Sequence, residues 1–283
     1  MTETITSAKN PRIKELIALM EKSKARREAR LFPVEGVRET EHAIEAGLVP
    51  EMLFHCPGIL KELPTAISSA PLGNGCHPFE VTAEVYSRIA YREGTEGLVA
   101  VFRTPTPLTL EDLGIDGNGI IGSEQAGQSP RPALLMVAES IEKPGNIGAL
   151  LRTADAAGVD AVILCDPLTD LYNPNLIRAS LGGVFTVKIV CCTSVEAISF
   201  LKNHTIQILT AQLQDSVPYY DSDMTVPTAI VFGTESTGLT QQWRTASSRK
   251  IRIPMLGRLD SLNVSVSAAI LCFEALRQRE ATF

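Results

Sequence analysis

The sequence lacks a secretory leader pattern, because its opening MTETITSAKN has no basic stretch followed by an apolar one. No later segment approaches the run of about 18 apolar residues that a bilayer span requires. A soluble, cytoplasmic protein with no membrane partner is the expectation. Six cysteines (Cys56, Cys76, Cys165, Cys191, Cys192 and Cys272) show no framework spacing in a chain too long to need disulfide staples, so reduced thiols are expected. The pairs His55-Cys56 and Cys76-His77 lack CxxC or HxxxH spacing, and adjacent side chains point apart, so no metal site is expected. Neither GxGxxG nor GxxxxGK followed by Ser or Thr stands at a strand-to-helix turn, which removes the dinucleotide and P-loop fingerprints.

What is present is a chain of 283 residues with 45% apolar content, enough to bury a core, and a net charge of −6 that argues against coating nucleic acid by bulk electrostatics. The charge is uneven. Between Ser7 and Arg38 nine basic residues face four acidic ones. Lys9, Arg12, Arg26, Arg27 and Arg38 are the candidates there for contact with RNA phosphates. A solvated helix face is the other reading of the same stretch. Ile13, Leu16, Ile17 and Met20 recur at helical spacing, with Asn10 as cap and Pro11 in the first turn, so a helix is predicted from Pro11 to about Arg30. A second is predicted from Val37 to Ala46, stopped by Gly47, followed by apolar runs at Met52 to Phe54, Phe79 to Val81 and Leu98 to Phe102. Residues 1–104 thus form a small α/β unit. Residues 105–132, broken by Pro105, Pro107, Gly114, Pro130 and other Gly and Pro, are read as a flexible linker.

Residues 133–283 alternate strand-like runs with helical segments: Leu134 to Ala138, Ala161 to Leu164, Val184 to Val190, Ile206 to Thr210, Ala229 to Phe232 and Ile251 to Ile253. Near-continuous apolar strands separated by helices predict a parallel sheet covered on both faces. The last helix, Val264 to Arg279, is apolar nearly all round, which predicts burial on more than one side, inside the domain and against a second subunit. Three segments carry chemistry. VAESIEKPGNIGALLRTADAAGVDAVIL (Val137 to Leu164) turns from strand to helix through Gly145 to Gly148 and carries Arg152 on the helix. AIVFGTESTGL (Ala229 to Leu239) delivers Gly233 and Glu235 at the carboxyl end of a buried strand, the edge where open α/β sheets bind ligands. IRIPMLGRLDSLNVSVSAAILCFEALRQR (Ile251 to Arg279) places Ser261 and Asn263 at the start of the buried helix, where Ser and Asn also serve simply as caps.

Together, in this order and spacing, the three segments resemble the signature motifs of the SpoU (TrmH-like) family within the SPOUT methyltransferases. The N-terminal stretch from Ile5 to Gly47 resembles the substrate-binding domain, similar to ribosomal protein L30e, that precedes the catalytic domain in many members. The resemblance implies an α/β SPOUT domain with a deep trefoil knot, a homodimer, and S-adenosylmethionine as cofactor. It implies methyl transfer to a ribose 2'-hydroxyl of RNA, ribosomal in preference to transfer RNA. Carried over by position, it implies that main-chain groups at Gly233, Ile253 and Leu262 hold the cofactor. The implied catalytic set is Asn146, Arg152, Glu235, Ser261 and Asn263, with Arg152 reaching the cofactor of the other subunit. A guanidinium is effectively always protonated, so Arg152 is assigned to gripping the target phosphate and stabilising the developing alkoxide, not to acting as a base. Two rival classes are an RNA-binding protein of this fold without catalysis, and a doubly wound nucleotide enzyme with a phosphate at the Gly145 turn.

Overall fold

The computed structural model describes residues 3–71, 78–90, 96–116, 119–120, 131–234, 237–259 and 261–280. The chain divides into two units, one made of residues 1–106 and 170–186, the other of 107–169 and 187–283.

In the first unit, strands β1 (Glu3–Ile5), β2 (Leu31–Glu35), β3 (Pro50–His55), β4 (Pro78–Val81) and β5 (Leu98–Arg103) form one sheet in the order β1-β4-β3-β5-β2. The helices are α1 (Pro11–Glu21), α2 (Ser23–Ala29), α3 (Val37–Glu45), α4 (Thr65–Ser68) and α5 (Ala83–Ile89). The apolar stripe of α1, Ile13, Leu16 and Leu19, is buried with Phe54, Val99 and Val101 of the sheet. Asn10 caps α1 by accepting from Arg12 N–H at 2.9 Å, as its position predicts. The single helix predicted to Arg30 breaks at Lys22, whose backbone is extended (φ −118°, ψ 114°). Beyond the break α2 turns Arg26 inward. Strand β2 carries Pro33, which the ladder tolerates because β2 lies at the sheet edge.

Residues 170–186 belong to this unit although they come from the middle of the C-terminal half. They carry α7 (Pro174–Ala179) and α8 (Gly183–Thr186), where a strand was predicted from Val184. Phe185 is drawn instead to the ring of Phe32, 6.0 Å between centroids, and Tyr172 stacks on Phe32 at 4.3 Å. His42 Nδ1 donates to Leu181 O at 3.0 Å. Gly182 sits so close that a Cβ would lie 2.5 Å from that nitrogen, at a φ of +85° that favours glycine.

The second unit opens with the segment predicted as linker. From Pro107 to Ile115 that reading is corrected. Leu110, Leu113 and Ile115 are buried with Val190, Phe200 and Ala133 of the unit's core, and Asp112 accepts from Thr109 N–H and Oγ1 at 2.8 and 2.9 Å. A short antiparallel ladder, β6 (Ile115–Asp116) with β7 (Gly119–Ile120), follows. The main sheet comprises β8 (Leu134–Glu139), β9 (Ala161–Cys165), β10 (Ile189–Cys192), β11 (Gln207–Ala211), β12 (Val217–Pro218), β13 (Thr228–Phe232) and β14 (Arg249–Arg252). All seven strands are parallel, in the order β10-β9-β8-β13-β11-β14-β12. Every residue of β8, β9 and β13 is buried, the pattern that a sheet covered on both faces requires.

Helices α6 (Pro144–Ala156), α9 (Ser194–Asn203), α10 (Gln241–Ala246) and α11 (Val264–Glu280) complete the unit. α11 buries Val264, Ala268, Leu271, Cys272 and Ala275, while Val266 and Phe273 stay about half exposed. At its far end buried Arg279 donates to four carbonyls, those of Pro132, Ala133, Met224 and Val226, at 2.6 to 3.1 Å. Burial pushes this guanidinium down to about 10, which leaves it charged at neutral pH.

Candidate active site

Because the sheet is parallel, the carboxyl ends of β11, β13 and β14 open on one edge, and a cavity of about 330 Å³ lies there. Its walls come from three parts of the sequence: Ala211 to Gln214 at the end of β11; Gly233, Thr234 and Thr237 to Leu239 after β13; and Ile251 to Ile253, Met255, Ser261 and Leu262 with the start of α11. The three residues expected to hold a cofactor, Gly233, Ile253 and Leu262, all line it.

Gly233 is there for space. A Cβ would sit 2.3 Å from the carbonyl carbon of Gly238 and 2.5 Å from Leu239 N, so no side chain fits while the loop keeps this path. The loop closes on itself: Gly238 N–H donates to Thr234 O at 3.0 Å, and the hydroxyls of Thr234 and Thr237 lie 2.7 Å apart. Glu235, the acid expected in this loop, lies outside the described residues. Arg244 of α10 and Arg252 of β14 also line the cavity, and Arg244 Nε is held by Leu239 O at 3.0 Å. The mixture of main-chain groups, apolar walls and two guanidinium groups suits a nucleoside that also carries an amino-acid carboxylate.

Asn146 and Asn263 are brought together. Asn146 stands in the first turn of α6, which packs on α11, and Asn263 directly precedes α11. Asn263 Nδ2 donates to Asn146 Oδ1 at 3.1 Å, while Asn263 Oδ1 accepts from Ser265 N–H at 3.0 Å and from Ser265 Oγ at 2.6 Å. The oxygen of Asn263 thus caps the helix, and its amide is directed to Asn146 of α6. Ser261 is exposed on the cavity rim. Arg152 is exposed on α6 and is not among the residues lining the cavity.

The five basic candidates for RNA contact divide. Lys9, Arg12, Arg27 and Arg38 are exposed, Arg12 pairing with Glu3 at 3.0 Å and lying over the Phe79 ring. Arg26 is corrected: it is 4% exposed, bonded to Asp170 at 2.7 Å and to Leu19 O at 2.6 Å, and so holds the fold together instead of facing phosphate.

Sequence reasoning passed over Glu139. Its signal was an acid ending the apolar run LLMVAE, at a place where both faces of the sheet are covered. It is 2% exposed, and its carboxylate accepts from Thr240 N–H at 2.8 Å and Thr240 Oγ1 at 2.7 Å. Among the described residues no cluster of His, Cys, Asp or Glu is arranged to hold a metal.

Comparison with known proteins agrees with this geometry. Residues 133–273 match the SpoU rRNA Methylase family, and residues 10–100 match an MRM3-like substrate binding domain. The chain is 29% identical to the 23S rRNA (guanosine(2553)-2'-O)-methyltransferase RlmP of Bacillus subtilis, over 95% of this chain and 97% of that one. It is 38% identical to a solved RNA 2'-O ribose methyltransferase, covering 98% of this chain and 99% of that one with a TM-score of 0.79. It is 28% identical to an AdoMet-bound rRNA methyltransferase from Sinorhizobium meliloti, covering 98% of each chain with a TM-score of 0.82. With two of its three motifs lining one cavity and its length matched by such relatives, the chain belongs to the SpoU rRNA methylase family.

Proposed function

We propose that the cavity beyond β11, β13 and β14 is where this chain binds S-adenosylmethionine, held by main-chain groups at Gly233, Ile253 and Leu262. The reaction comes with the family: the chain is an S-adenosylmethionine-dependent RNA methyltransferase acting on a ribose 2'-hydroxyl. When bound, the cofactor supplies a methyl group on a sulfonium, open to in-line displacement by an oxygen nucleophile. The observation that carries the placement is the convergence of Gly233, Ile253 and Leu262 on one cavity from separate segments.

Within this reading Arg152 grips the phosphate beside the target ribose and stabilises the alkoxide as it forms, in trans across a homodimer. Asn146, held by Asn263, and Glu235 fix the orientation of Arg152, and Ser261 and Asn263 complete the catalytic set. Support for the dimer is the uncovered apolar side of α11 and the chain before it, where Leu256, Leu259, Leu262, Val266 and Phe273 are exposed. We assign the trefoil knot to the same region. The substrate is ribosomal RNA: the relative from Bacillus subtilis is named for a 23S rRNA guanosine, and the first unit matches a substrate binding domain. Exposed Lys9, Arg12, Arg27 and Arg38 supply its positive surface. No helix among the described residues is long and apolar enough to cross a membrane, and we place the enzyme in the cytoplasm with its RNA.

The test is Arg152→Ala measured two ways. Turnover on ribosomal RNA should vanish while calorimetry with S-adenosylhomocysteine gives an unchanged Kd. Loss of cofactor affinity would remove the phosphate-clamp assignment, and a wild-type chain that does not bind S-adenosylhomocysteine would remove the cavity assignment.

A further inference from the structure

The wall of the cavity formed by Gly233, Thr234 and Thr237 to Leu239 follows β13, and the chain is secured just beyond it at Thr240. Thr240 is the residue before α10, where a threonine hydroxyl ordinarily accepts from its own helix. Here it makes no such bond. The hydroxyl instead donates to Glu139 Oε1 at 2.7 Å, and the Thr240 N–H donates to Glu139 Oε2 at 2.8 Å, so both carboxylate oxygens hold one residue. Glu139 ends β8, the strand beside β13, so the carboxylate reaches sideways from the rigid sheet to the far end of the loop.

A buried carboxylate without a cation is costly unless donors surround it. Glu139 is 2% exposed, and the described residues supply only neutral donors, Thr240 twice and Gln242 Nε2 at 3.5 Å, with the Ser194 hydroxyl oxygen 3.3 Å away. Ser194 is itself fixed, receiving Trp243 Nε1–H at 3.1 Å and donating to Asp166 at 2.7 Å. An apolar side chain would fill this position at less desolvation cost. What it could not do is fix Thr240.

Gly238 and Leu239 have no room to absorb a shift at that end. Gly238 and Leu239 press against Gly233 so closely that even one methyl group is excluded, and Arg244 grips the Leu239 carbonyl. A displacement at Thr240 therefore reaches the Gly233 wall directly. We propose that Glu139 is a positioning residue for cofactor binding, acting through Thr240 to set the wall that Leu239, Gly238 and Gly233 give the cavity. This rests on the reading of that cavity as the cofactor site.

The experiment is calorimetry of the full-length protein with S-adenosylhomocysteine, alongside steady-state kinetics with S-adenosylmethionine and thermal melts without ligand. Thr240→Val, which removes only the hydroxyl arm, should raise Kd by about five- to tenfold, and Thr240→Ser should restore it to within about twofold. KM for S-adenosylmethionine should rise with Kd while kcat changes less. Glu139→Gln should weaken binding further, because its amide nitrogen meets a donor. If that variant does not fold, the Thr240 pair decides. Arg279→Met, at the opposite end of the sheet, serves as the destabilised control and should lower Tm without moving Kd. The proposal is overturned if Thr240→Val binds within twofold of wild type, or if Arg279→Met weakens binding as much for the same loss of Tm. Failure of the wild type itself to bind would instead count against the cofactor site.

Discussion

Asn263 uses its two side-chain atoms for different ends: Oδ1 holds the start of α11 through Ser265, and Nδ2 donates to Asn146 Oδ1 at 3.1 Å. The two duties are separable. Asn263→Asp keeps the capping oxygen and loses the donor, so Tm should stay within a degree or two while turnover on RNA falls by about 10- to 100-fold. Asn263→Ala loses both, adding a loss of about 1 kcal/mol in stability. Thermal melts and transfer of radiolabelled methyl to RNA, measured on the same preparations, check the separation.

Gly233 carries a stronger constraint than a turn. The Cβ of Gly233→Ala would collide with the main chain of Gly238 and Leu239, which has no flexible side chain to give way. The loop must shift, at a cost of about 1–3 kcal/mol. Affinity for S-adenosylhomocysteine should fall more than tenfold, and calorimetry would show it. An unchanged Kd would place the cofactor elsewhere.

In the second unit the single guanidinium of Arg279 serves four carbonyls at the entry to β8 and β13. Arg279→Met leaves those carbonyls without their donor and should cost roughly 3 kcal/mol. Arg279→Lys should recover only part of that, because an ammonium cannot span the same fork. Chemical denaturation midpoints at constant slope would measure both.

The capping box of α9 predicts a pH dependence. Glu196 Oε2 accepts from Thr193 N–H and Oγ1, both at 2.7 Å, and these bonds hold its carboxyl below its ordinary value of 4.5. A carboxyl lowered in the folded state contributes stability that is present above its unfolded value and is lost as pH falls through the folded one. The gap between the melting temperatures of wild type and Glu196→Gln should therefore be full at about pH 6 and narrow as the pH falls below 4.5. A constant gap across that range would contradict the assignment.

How legible the fold was varied with the physics of each stretch. β8, β9 and β13 were plain in the sequence because strands covered on both faces are apolar at nearly every position. β2 hid behind Pro33, which is harmless only at a sheet edge, a placement that no local pattern encodes. Residues 107–115 were misread because Pro107 and Gly114 outweighed the helically spaced Leu110 and Leu113, whose burial depends on Val190 and Phe200 far along the chain. Gly233, Ile253 and Leu262, which share one cavity, were singled out by motif, whereas Glu139 was not, since a lone acid at a strand end acquires meaning only once Thr240 is seen beside it. Arg26 shows the converse limit. In a basic run nothing local marks the one guanidinium that turns inward to meet Asp170.

The crossover between β9 and β10 contributes residues 170–186 to the first unit, so the backbone passes between the units three times, at 106/107, 169/170 and 186/187. A protease that nicks residues 121–130 would sever the covalent path from 1–120 to 131–283 without freeing either product. Asp170, Tyr172 and Phe185 on the later fragment would still clasp Arg26 and Phe32 on the earlier one. The gene could accordingly be split at that point and the two polypeptides expressed separately, to reassociate as a complementing pair.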